Sequence, residues 1–340
     1  MLDFSSTLYQ DHPWSSLTSA MQQLGAARWL VVSDSNLHKI LDWSVCPEAP
    51  LIVPAGEASK CLAQAEVLYA QLAQRNVTRD TWLVAVGGGV VGDLAGFVAA
   101  TYLRGLPLVQ VPTSLVAQVD SSLGGKVGVD LPAGKNLVGA FYPPRMIFLD
   151  SQLLATLPQE EWNSGMAEVL KHALIDGEEH WESLESLPAA LNAQQRRALV
   201  ERSRQVKRTI IEQDPLEKGI RAFLNLGHTL AHAIESVQNY RGWNHGQAVG
   251  FGLRAALRLS HLKLGLPQIW EKRLLAQLER YQLPYQAPKL DFSSLVPYLK
   301  RDKKNQHGKL RFVLLRQPGQ AELCDQVKLE ELEKIWEELQ

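Results

Sequence analysis

Cysteine is scarce in this 340-residue chain, and its three cysteines are too few and too far apart for a disulfide framework. Cys46, Cys61 and Cys324 are also odd in number, which is typical of a protein from a reducing compartment. The first residues, MLDFSSTLYQDHPW, lack the charged and apolar regions of a secretory signal peptide. We therefore expect a cytoplasmic protein.

The chain also lacks an excess of charge of either sign. Its 35 Lys and Arg residues against 36 Asp and Glu residues leave a net charge of −1. This balance gives no general electrostatic reason to expect nucleic acid or an anionic membrane as a partner. An apolar fraction of 46% and a charged fraction of 21% are typical of a globular protein, and the length is sufficient for two domains.

Long apolar runs are nearly absent. Only residues 82–100 approach the length of a membrane-spanning helix, and five glycines and Asp93 interrupt that stretch. The first part of the stretch has the composition of a buried strand and the second part has helical spacing. We therefore interpret it as a strand, a glycine turn and a helix.

Residues 1–150 alternate short β-branched runs with segments of helical spacing. Strands are predicted at 29–33, 51–53, 82–86, 108–111 and 146–149, and helices at 59–74 and 90–100. After Asp150 helical spacing dominates, at roughly 159–176, 190–213, 226–239, 246–264, 268–282 and 327–339, and only 309–315 has the pattern of a strand. The sequence thus predicts an α/β domain with a parallel sheet at 1–150 and a mostly α-helical domain at 151–340.

Glycines 87–89 lie between a predicted strand and a predicted helix. Without side chains they allow the backbone to approach a phosphate closely, and the helix N-terminus offers free N–H groups and the positive end of a dipole. The spacing is not that of the G-x-G-x-x-G dinucleotide motif, so a simple tight turn remains an alternative.

Polar residues follow two other strands of the predicted sheet. Asp34 and Asn36 come after the first strand, where they can bond a ribose hydroxyl or simply form a turn or a helix cap. Glu57 and Lys60 follow the second strand. Because the carboxyl ends of parallel strands meet at one edge of a sheet, these loops and the glycine turn together favour a nucleotide site.

Three segments of the second half carry ligand-type side chains at helical spacing: Glu168, Lys171 and His172 in 165–173, His228 and His232 in 225–235, and His245 at the start of 245–252. Imidazole and carboxylate are the usual ligands of a zinc-like ion, and a catalytic site keeps one position open for substrate. A single histidine on an apolar helix is usually a hydrogen-bonded core residue. The combination of several such residues favours a metal site.

Several basic residues stand in apolar or glycine-rich surroundings. Lys126 lies between glycines in an otherwise uncharged stretch, which suits an anionic ligand. Arg104, Lys207 and Arg221 are further candidates, whereas the basic run at 301–309 can equally be a solvated surface loop. The residues thus indicate a dinucleotide, a metal and a charged ligand that carries phosphate.

Taken in order, these segments resemble the 3-dehydroquinate synthase family of the sugar-phosphate cyclase superfamily. The matching pieces run from residue 33 to 304 and include GEASK, GGGVVGDLAGFVAATYLRG, VPTSLVAQVDSSLGGK, GKNLVGAFYPP, SGMAEVLKHALI, LNLGHTLAHAIE, HGQAV and DKK. The resemblance implies a Rossmann-like NAD-binding domain followed by a helical metal-binding domain. It also implies a homodimeric lyase, dependent on NAD and on Zn²⁺ or Co²⁺, that converts 3-deoxy-D-arabino-heptulosonate 7-phosphate to 3-dehydroquinate and phosphate in the shikimate pathway of aromatic amino acid biosynthesis.

The resemblance also implies roles for individual residues. The metal ligands would be Glu168, His228 and His245. Catalytic groups would be His232, Lys171, Asp120, Lys126, Asn136 and Lys207. Further substrate contacts would come from Arg104, Arg221, Asn225 and Lys303, with Lys304 as an alternative to Lys303, and Arg104 would reach the site of the neighbouring subunit. The cofactor would be held by Asp34, Asn36, Glu57, Lys60, Gly88, Gly89, Val90, Asp93, Thr113, Ser114, Lys135 and Thr156.

Three positions depart from the family pattern: Ala231 and Gln247 stand where the family usually has Gly and Glu, and Leu153 stands where an aromatic residue is common. None of them removes a ligand or a charged contact. Three other readings stay open, namely a sugar-phosphate cyclase with another substrate, an alcohol dehydrogenase of the glycerol dehydrogenase type, and a non-catalytic binding protein.

Overall fold

The computed structural model describes residues 8–11, 13–301 and 310–340, and the chain divides into two compact units. The first unit consists of the described residues up to Pro158 together with Ala193–Arg204. The second consists of Gln159–Asn192 and the described residues from Gln205 onward. Within the described residues, no helix is both long and apolar enough to cross a membrane.

The first unit contains a six-stranded parallel sheet in the order β1-β8-β5-β4-β2-β3. The strands of this unit are β1 (Leu8–Asp11), β2 (Trp29–Asp34), β3 (Leu51–Val53), β4 (Trp82–Gly87), β5 (Leu108–Pro112), β6 (Lys126–Leu131), β7 (Gly134–Phe141) and β8 (Met146–Leu149). Strands β6 and β7 form a separate antiparallel hairpin. The helices of this unit are α1 (Leu17–Gln23), α2 (Leu62–Gln74) and α3 (Gly89–Thr101).

Both faces of the parallel sheet are buried, which explains its continuous apolar strands. Along β4, Leu83 and Ala85 belong to one apolar cluster, which also contains buried residues of α2 and α3. Val84 and Val86 point to the opposite face and belong to a second cluster. The sheet is therefore a central layer with an apolar core on each side, and these cores position the loops at its edges.

The Rossmann-like character of the first unit is confirmed, and each of the five predicted strands is present with bounds that differ by at most one residue. Strand β1 was not predicted, and neither were the hairpin strands β6 and β7. Their stretch, 126–141, contains glycine at 128, 134 and 139, and glycine weakens the alternating pattern by which a strand is predicted. Gly128 and Gly139 are paired across the hairpin.

The second unit is mostly helical, as predicted. Its helices, with the start of α6 counted in the first unit, are α4 (Gln159–Asp176), α5 (Glu178–Glu185), α6 (Ala193–Gln213), α7 (His228–Val237), α8 (His245–Leu264), α9 (Ile269–Arg280), α10 (Phe292–Arg301) and α11 (Leu329–Glu338). The expectation that 309–315 is the only strand of this half is wrong, because β9 (Leu310–Gln317) pairs antiparallel with β10 (Gln320–Val327). Strand β10 reads QAELCDQV and is mostly polar and solvent-facing, so its composition carries little strand signal.

Candidate metal centre and cofactor-binding loops

The second unit brings together one carboxylate and two imidazoles from three different helices. The Glu168 Oε1 atom of α4 lies 3.2 Å from Nε2 of His228 on α7 and 3.0 Å from Nε2 of His245 on α8. One ligand atom from each residue lies within 4.8 Å of the other two. The Glu168 side chain is fully buried. One oxygen and two nitrogens at this spacing fit the ligand set of a divalent metal with open positions for substrate.

Backbone-to-backbone contact places α7 against α8. Gly227 precedes His228 in a left-handed conformation with a φ of +79° and caps the N-terminus of α7. A Cβ atom on Gly252 of α8 would lie only 2.1 Å from the carbonyl oxygen of Gly227. Because only glycine allows this approach, Gly227 and Gly252 set the distance from α8 to His228.

A second close approach places α8 against α4. A Cβ atom on Gly246 would lie 2.2 Å from both Cα and the carbonyl oxygen of Ser164. The Gly246 N–H donates to Ser164 Oγ over 3.0 Å. His245 and Glu168 therefore depend for their separation on a glycine contact one residue away from His245.

The N-terminus of α8 is fixed by a capping box. The Asn244 side chain accepts from the Gln247 N–H, and the Gln247 Oε1 atom accepts from the Asn244 N–H, each over 2.9 Å. The amide oxygen of Gln247 thus supplies the acceptor that a glutamate at this position would supply. This departure from the family pattern leaves the start of α8 intact.

Charged neighbours shift the pKa values of the three proposed metal ligands, Glu168, His228 and His245. Burial raises the pKa of Glu168, but the Lys171 ammonium and His228 outweigh burial and hold it well below the ordinary value. Burial and the Lys171 charge lower the pKa of His228, which favours a neutral imidazole. Burial lowers the pKa of His245 too, yet its hydrogen bonds to Glu168 and Glu235 raise the pKa to about 10. A metal would therefore replace a proton at His245.

The orientation of His228 is also defined. Its Nδ1 atom lies 3.1 Å from the carbonyl oxygen of Leu226, so Nδ1–H can donate there and Nε2 faces Glu168. His232 lies one turn further along α7, is exposed, and its ring centroid is 5.4 Å from that of His228. Lys171 is buried and pairs with Glu168. The structure thus places His232 and Lys171, the two predicted polar neighbours, beside the cluster of Glu168, His228 and His245.

The segment before α7 is ordered around a carboxylate that sequence reasoning missed. Asp214 accepts hydrogen bonds from the N–H groups of Lys218, Gly219 and Arg221. These backbone bonds, against the effect of burial, lower the pKa of Asp214. The carboxylate therefore stabilises a turn that carries Arg221 toward α7.

Three predicted substrate-binding residues of the second unit are well anchored. Arg221 is buried and donates through its guanidinium to the carbonyl oxygen of Pro215. Asn225 donates to Glu217 Oε1 over 3.1 Å, and Lys207 is buried on α6. Glu217 was also missed, and nothing in its local spacing distinguishes it from a surface residue. Lys303 and Lys304 lie outside the described residues.

In the first unit, the glycine turn leads directly into α3, with Gly88 as its N-cap and Val90 in its first turn. A Cβ atom on Gly88 would meet only the side chain of Ser114, with Oγ nearest at 3.4 Å, and the φ of −72° at Gly88 suits any residue. On Gly89 the nearest atom would be Ser121 Oγ, at 3.0 Å. Neither backbone strain nor packing requires glycine at 88, so the missing side chain leaves a cradle at a helix N-terminus. This fits the close approach of a phosphate.

A polar cluster surrounds the ammonium of Lys60. Its Nζ atom lies 2.9 Å from Asn136 Oδ1, 3.3 Å from Asp93 Oδ2 and 3.4 Å from Glu57 Oε1. Lys135 Nζ lies 2.9 Å from the same oxygen of Glu57. Five predicted residues, from the loop after β3, helix α3 and the start of β7, are thus brought together.

The charges of this cluster depend on each other. Burial lowers the pKa of Lys60, but the surrounding carboxylates outweigh it and raise the pKa. Burial raises the pKa of Asp93 to about 6, because Lys60 only partly offsets it. Asp130 lies 3.7 Å from Lys60 Nζ and accepts from the N–H of Asn136, which has a φ of +52°. The cluster is therefore held in place before any ligand binds.

The remaining cofactor candidates line the ends of the central strands. Asp34 Oδ1 accepts from the N–H groups of Asn36, over 2.8 Å, and Leu37, over 3.1 Å, so the turn-forming role is present. The Thr113 N–H donates to the carbonyl oxygen of Gly87, which joins β5 to the glycine turn. Thr156 is exposed and donates to the carbonyl oxygen of Leu153. Contacts of these side chains to a dinucleotide stay a prediction.

Three predicted residues of the first unit lie in or next to backbone of unusual conformation. Arg104 is exposed and has a φ of +67°, between Leu103 at +50° and Gly105 at +131°. Lys126 is exposed and follows two glycines of positive φ. Asp120 lies in a π-helical turn at 117–121. Left-handed non-glycine residues cost about 1 to 3 kcal/mol each and cluster at functional sites, where π-turns are also frequent.

Comparison with solved structures defines the class of protein. The chain is similar to 2-deoxy-scyllo-inosose synthase, solved in complex with carbaglucose-6-phosphate, NAD⁺ and Co²⁺. The two are 27% identical with a TM-score of 0.87, and the match covers 98% of this chain and 96% of the other. The fold is thus that of the sugar-phosphate cyclases.

Sequence comparison then identifies the family. The family models described as 3-dehydroquinate synthase N-terminal and C-terminal match residues 50–164 and 165–305. A relative named 3-dehydroquinate synthase from Colwellia psychrerythraea is 44% identical over 307 residues, which cover 89% of this chain and 86% of the relative. Another of that name, from Symbiobacterium thermophilum, is 45% identical over 324 residues, covering 88% and 90%. The chain belongs to the 3-dehydroquinate synthase family.

Proposed function

We propose that the protein converts 3-deoxy-D-arabino-heptulosonate 7-phosphate to 3-dehydroquinate and phosphate, a carbon–oxygen lyase step of the shikimate pathway. The observation that carries this proposal is the convergence of Glu168, His228 and His245 in a chain of this family. Relatives of 44 and 45% identity that bear the family name support this reaction over that of the inosose synthase, at 27%.

Glu168, His228 and His245 would hold the divalent metal, which we propose is Zn²⁺ or Co²⁺. When bound, such an ion acts as a Lewis acid that polarises coordinated hydroxyl groups. Lys171 keeps Glu168 ionised, as the lowered pKa of that carboxyl indicates. His232 is exposed beside the metal group and can exchange protons with a bound ligand.

The first unit would hold NAD at the carboxyl edge of its parallel sheet, as is general for open α/β sheets. The open space at Gly88 and the N–H groups at the start of α3 suit the diphosphate. The polar groups proposed for the rest of the dinucleotide are then Asp34 and, from the cluster around Lys60, the residues Glu57, Lys60, Asp93 and Lys135. When bound, NAD would accept a hydride in the first oxidation and return the same hydride in the later reduction.

Positioning carries the remaining chemistry. The substrate is a flexible seven-carbon anion, and fixed polar contacts reduce the entropy that each step would otherwise lose. The second unit offers buried Arg221 and Lys207 and the anchored Asn225. Lys126 and Asn136 of the first unit are the further proposed contacts, with Asp120 and with Lys303 or Lys304. The departing phosphate can itself accept a proton.

We further propose a cytoplasmic homodimer in which Arg104 serves the neighbouring subunit. The exposed position of Arg104 and the left-handed backbone of two successive non-glycine residues support this role, because such backbone is kept only where it is useful. The division into an NAD-binding domain at 1–150 and a metal- and substrate-binding domain at 151–340 likewise stays a prediction.

The test is an assay of the purified protein with the heptulosonate phosphate, NAD and Zn²⁺. We expect phosphate in many-fold molar excess over enzyme, with no rise in free NADH, and we expect chelation to abolish the activity and Zn²⁺ or Co²⁺ to restore it. NADH that rises one for one with product would identify an alcohol dehydrogenase. Phosphate release only from another sugar phosphate would identify a different cyclase, and no turnover of any substrate would contradict an enzymatic role.

A further inference from the structure

We infer that Glu235 is a positioning residue of the metal centre, whose carboxylate accepts a hydrogen bond from His245 Nδ1 and thereby directs Nε2 at the metal. The inference rests on the proposed metal-binding role of His245. Glu235 does not itself bind the metal, but it lies on α7, the helix that carries the proposed ligand His228.

The geometry begins on α7. His228, His232 and Glu235 are spaced i, i+4 and i+7, so they lie along one face of this helix. Glu235 is a charged residue, yet it is buried, with a relative exposure of 4%, among the mostly apolar buried residues of α7. Burial of a carboxylate is unfavourable unless it is paired or hydrogen-bonded, so the groups that lie against it have structural significance.

One of these groups is the imidazole of His245. Glu235 Oε1 lies 3.5 Å from His245 Nδ1, while Glu168 Oε1 lies 3.0 Å from His245 Nε2. The two carboxylates therefore face the two ring nitrogens of one histidine. Glu168 is on the side of the metal group, and Glu235 is on the side away from it.

The two ligand histidines then present the same nitrogen by different means. His228 Nδ1 faces a backbone carbonyl oxygen at 3.1 Å, whereas His245 Nδ1 faces a carboxylate. His245 has a side-chain exposure of 33%, against 10% for His228, so packing restrains its ring less. A carboxylate acceptor fixes the tautomer and the ring orientation and makes the opposite nitrogen a better ligand.

The expected effect is on metal affinity. Removal of such a carboxylate partner from a ligand histidine typically lowers metal affinity about 10- to 100-fold. Glu235→Gln keeps the shape and an uncharged acceptor, so we expect a loss near the lower figure. Glu235→Leu offers no acceptor and leaves the ring unrestrained, so we expect a loss near the higher figure.

The experiment measures Zn²⁺ dissociation constants by chelator competition, and the visible absorption spectrum of the Co²⁺-loaded protein. Glu271→Gln is the matched control, because Glu271 is a largely buried carboxylate of the same unit that accepts from Arg254 Nε over 3.1 Å. We expect the control to lower the melting temperature while the Zn²⁺ affinity and the Co²⁺ spectrum stay as in the wild type. Both Glu235 variants should change both metal readouts.

Each outcome is decisive. If Glu235→Gln melts earlier but binds Zn²⁺ with wild-type affinity and shows the wild-type Co²⁺ spectrum, Glu235 is merely structural and the inference is wrong. If Glu235→Leu does not fold, the Gln variant alone decides. If the wild-type protein binds neither ion, the metal centre itself is refuted and this inference with it, which separates that failure from the first.

Discussion

Replacement of Gly246 by alanine tests how the metal centre is assembled. Gly246 is the second residue of α8 and directly follows His245. The added Cβ would lie 2.2 Å from Cα and from the carbonyl oxygen of Ser164. Non-bonded carbon atoms rest about 3.5 Å apart, so the start of α8 and α4 must separate by about 1.3 Å.

This separation acts on stability and on the metal centre. Overpacking of this kind costs about 1 to 3 kcal/mol, and the gain of up to about 1 kcal/mol from glycine to alanine in a helix offsets only part of the larger costs. Metal–ligand distances tolerate only about 0.2 Å, so a shift of His245 relative to Glu168 should lower Zn²⁺ affinity about tenfold or more.

The control is Gly250→Ala, on the same helix one turn further on. There the nearest atom to an added Cβ is Leu278 Cδ2 at 3.1 Å, the end of a flexible side chain that can move aside. We expect this variant to bind Zn²⁺ as the wild type does and to be equally or more stable. The assay is chelator competition together with thermal unfolding of the metal-free proteins. Wild-type Zn²⁺ affinity in Gly246→Ala, or an equal loss in both variants, would refute the reasoning.

Three further predictions concern other parts of the chain. Gly88→Ala should leave the melting temperature nearly unchanged, because the added Cβ lies 3.4 Å from the nearest atom. The same variant should bind NAD about tenfold more weakly in a fluorescence titration, and an unchanged NAD affinity would contradict a phosphate-binding role for this helix N-terminus. Arg273→Ala should lower the unfolding free energy by about 1 to 2 kcal/mol at pH 7, because Arg273 donates hydrogen bonds to Glu185 and lowers the pKa of that carboxyl. This contribution is complete above the ordinary pKa of 4.5 and is lost as the pH falls through the lower pKa of the folded state. If the difference between the two proteins in urea unfolding stays constant down to pH 3, the Arg273–Glu185 pair is irrelevant to stability. Mixed dimers of the inactive Arg104→Ala and Lys126→Ala variants should regain part of the phosphate-releasing activity, and no recovery in dimers shown to be mixed would count against a shared site.

Much of the architecture follows from local patterns in the sequence. The buried strands of the first unit are short β-branched runs, and a strand buried on both faces has no polar alternation to obscure it. The glycine turn follows one of these strands, so its place at the carboxyl edge of the sheet is set by chain order alone. In the same way, i and i+4 spacing places His228 and His232 on one face of a helix without any tertiary information.

Other features could not be predicted in this way. Strand β10 is mostly polar and is defined by its pairing with β9, and the β6–β7 hairpin is built around paired glycines that leave no apolar alternation. The roles of Glu217 and Asp214 depend on bonds within a turn whose course no periodicity indicates. The structure of these elements is determined by the residues with which they pair, and not by a pattern within their own sequence.

The residue types of this protein determined which chemistry it can perform, and the tertiary structure decided which of those residues act together. Composition and spacing were sufficient to select Glu168 and His245 as ligand-type side chains. Only the packed structure brings them, 77 residues apart in the chain, to within 3.0 Å, through a glycine contact between α4 and α8. Only that packing also places Glu235 behind His245. The physical reason is that helical periodicity is local, whereas distances between helices depend on the close packing of residues far apart in sequence.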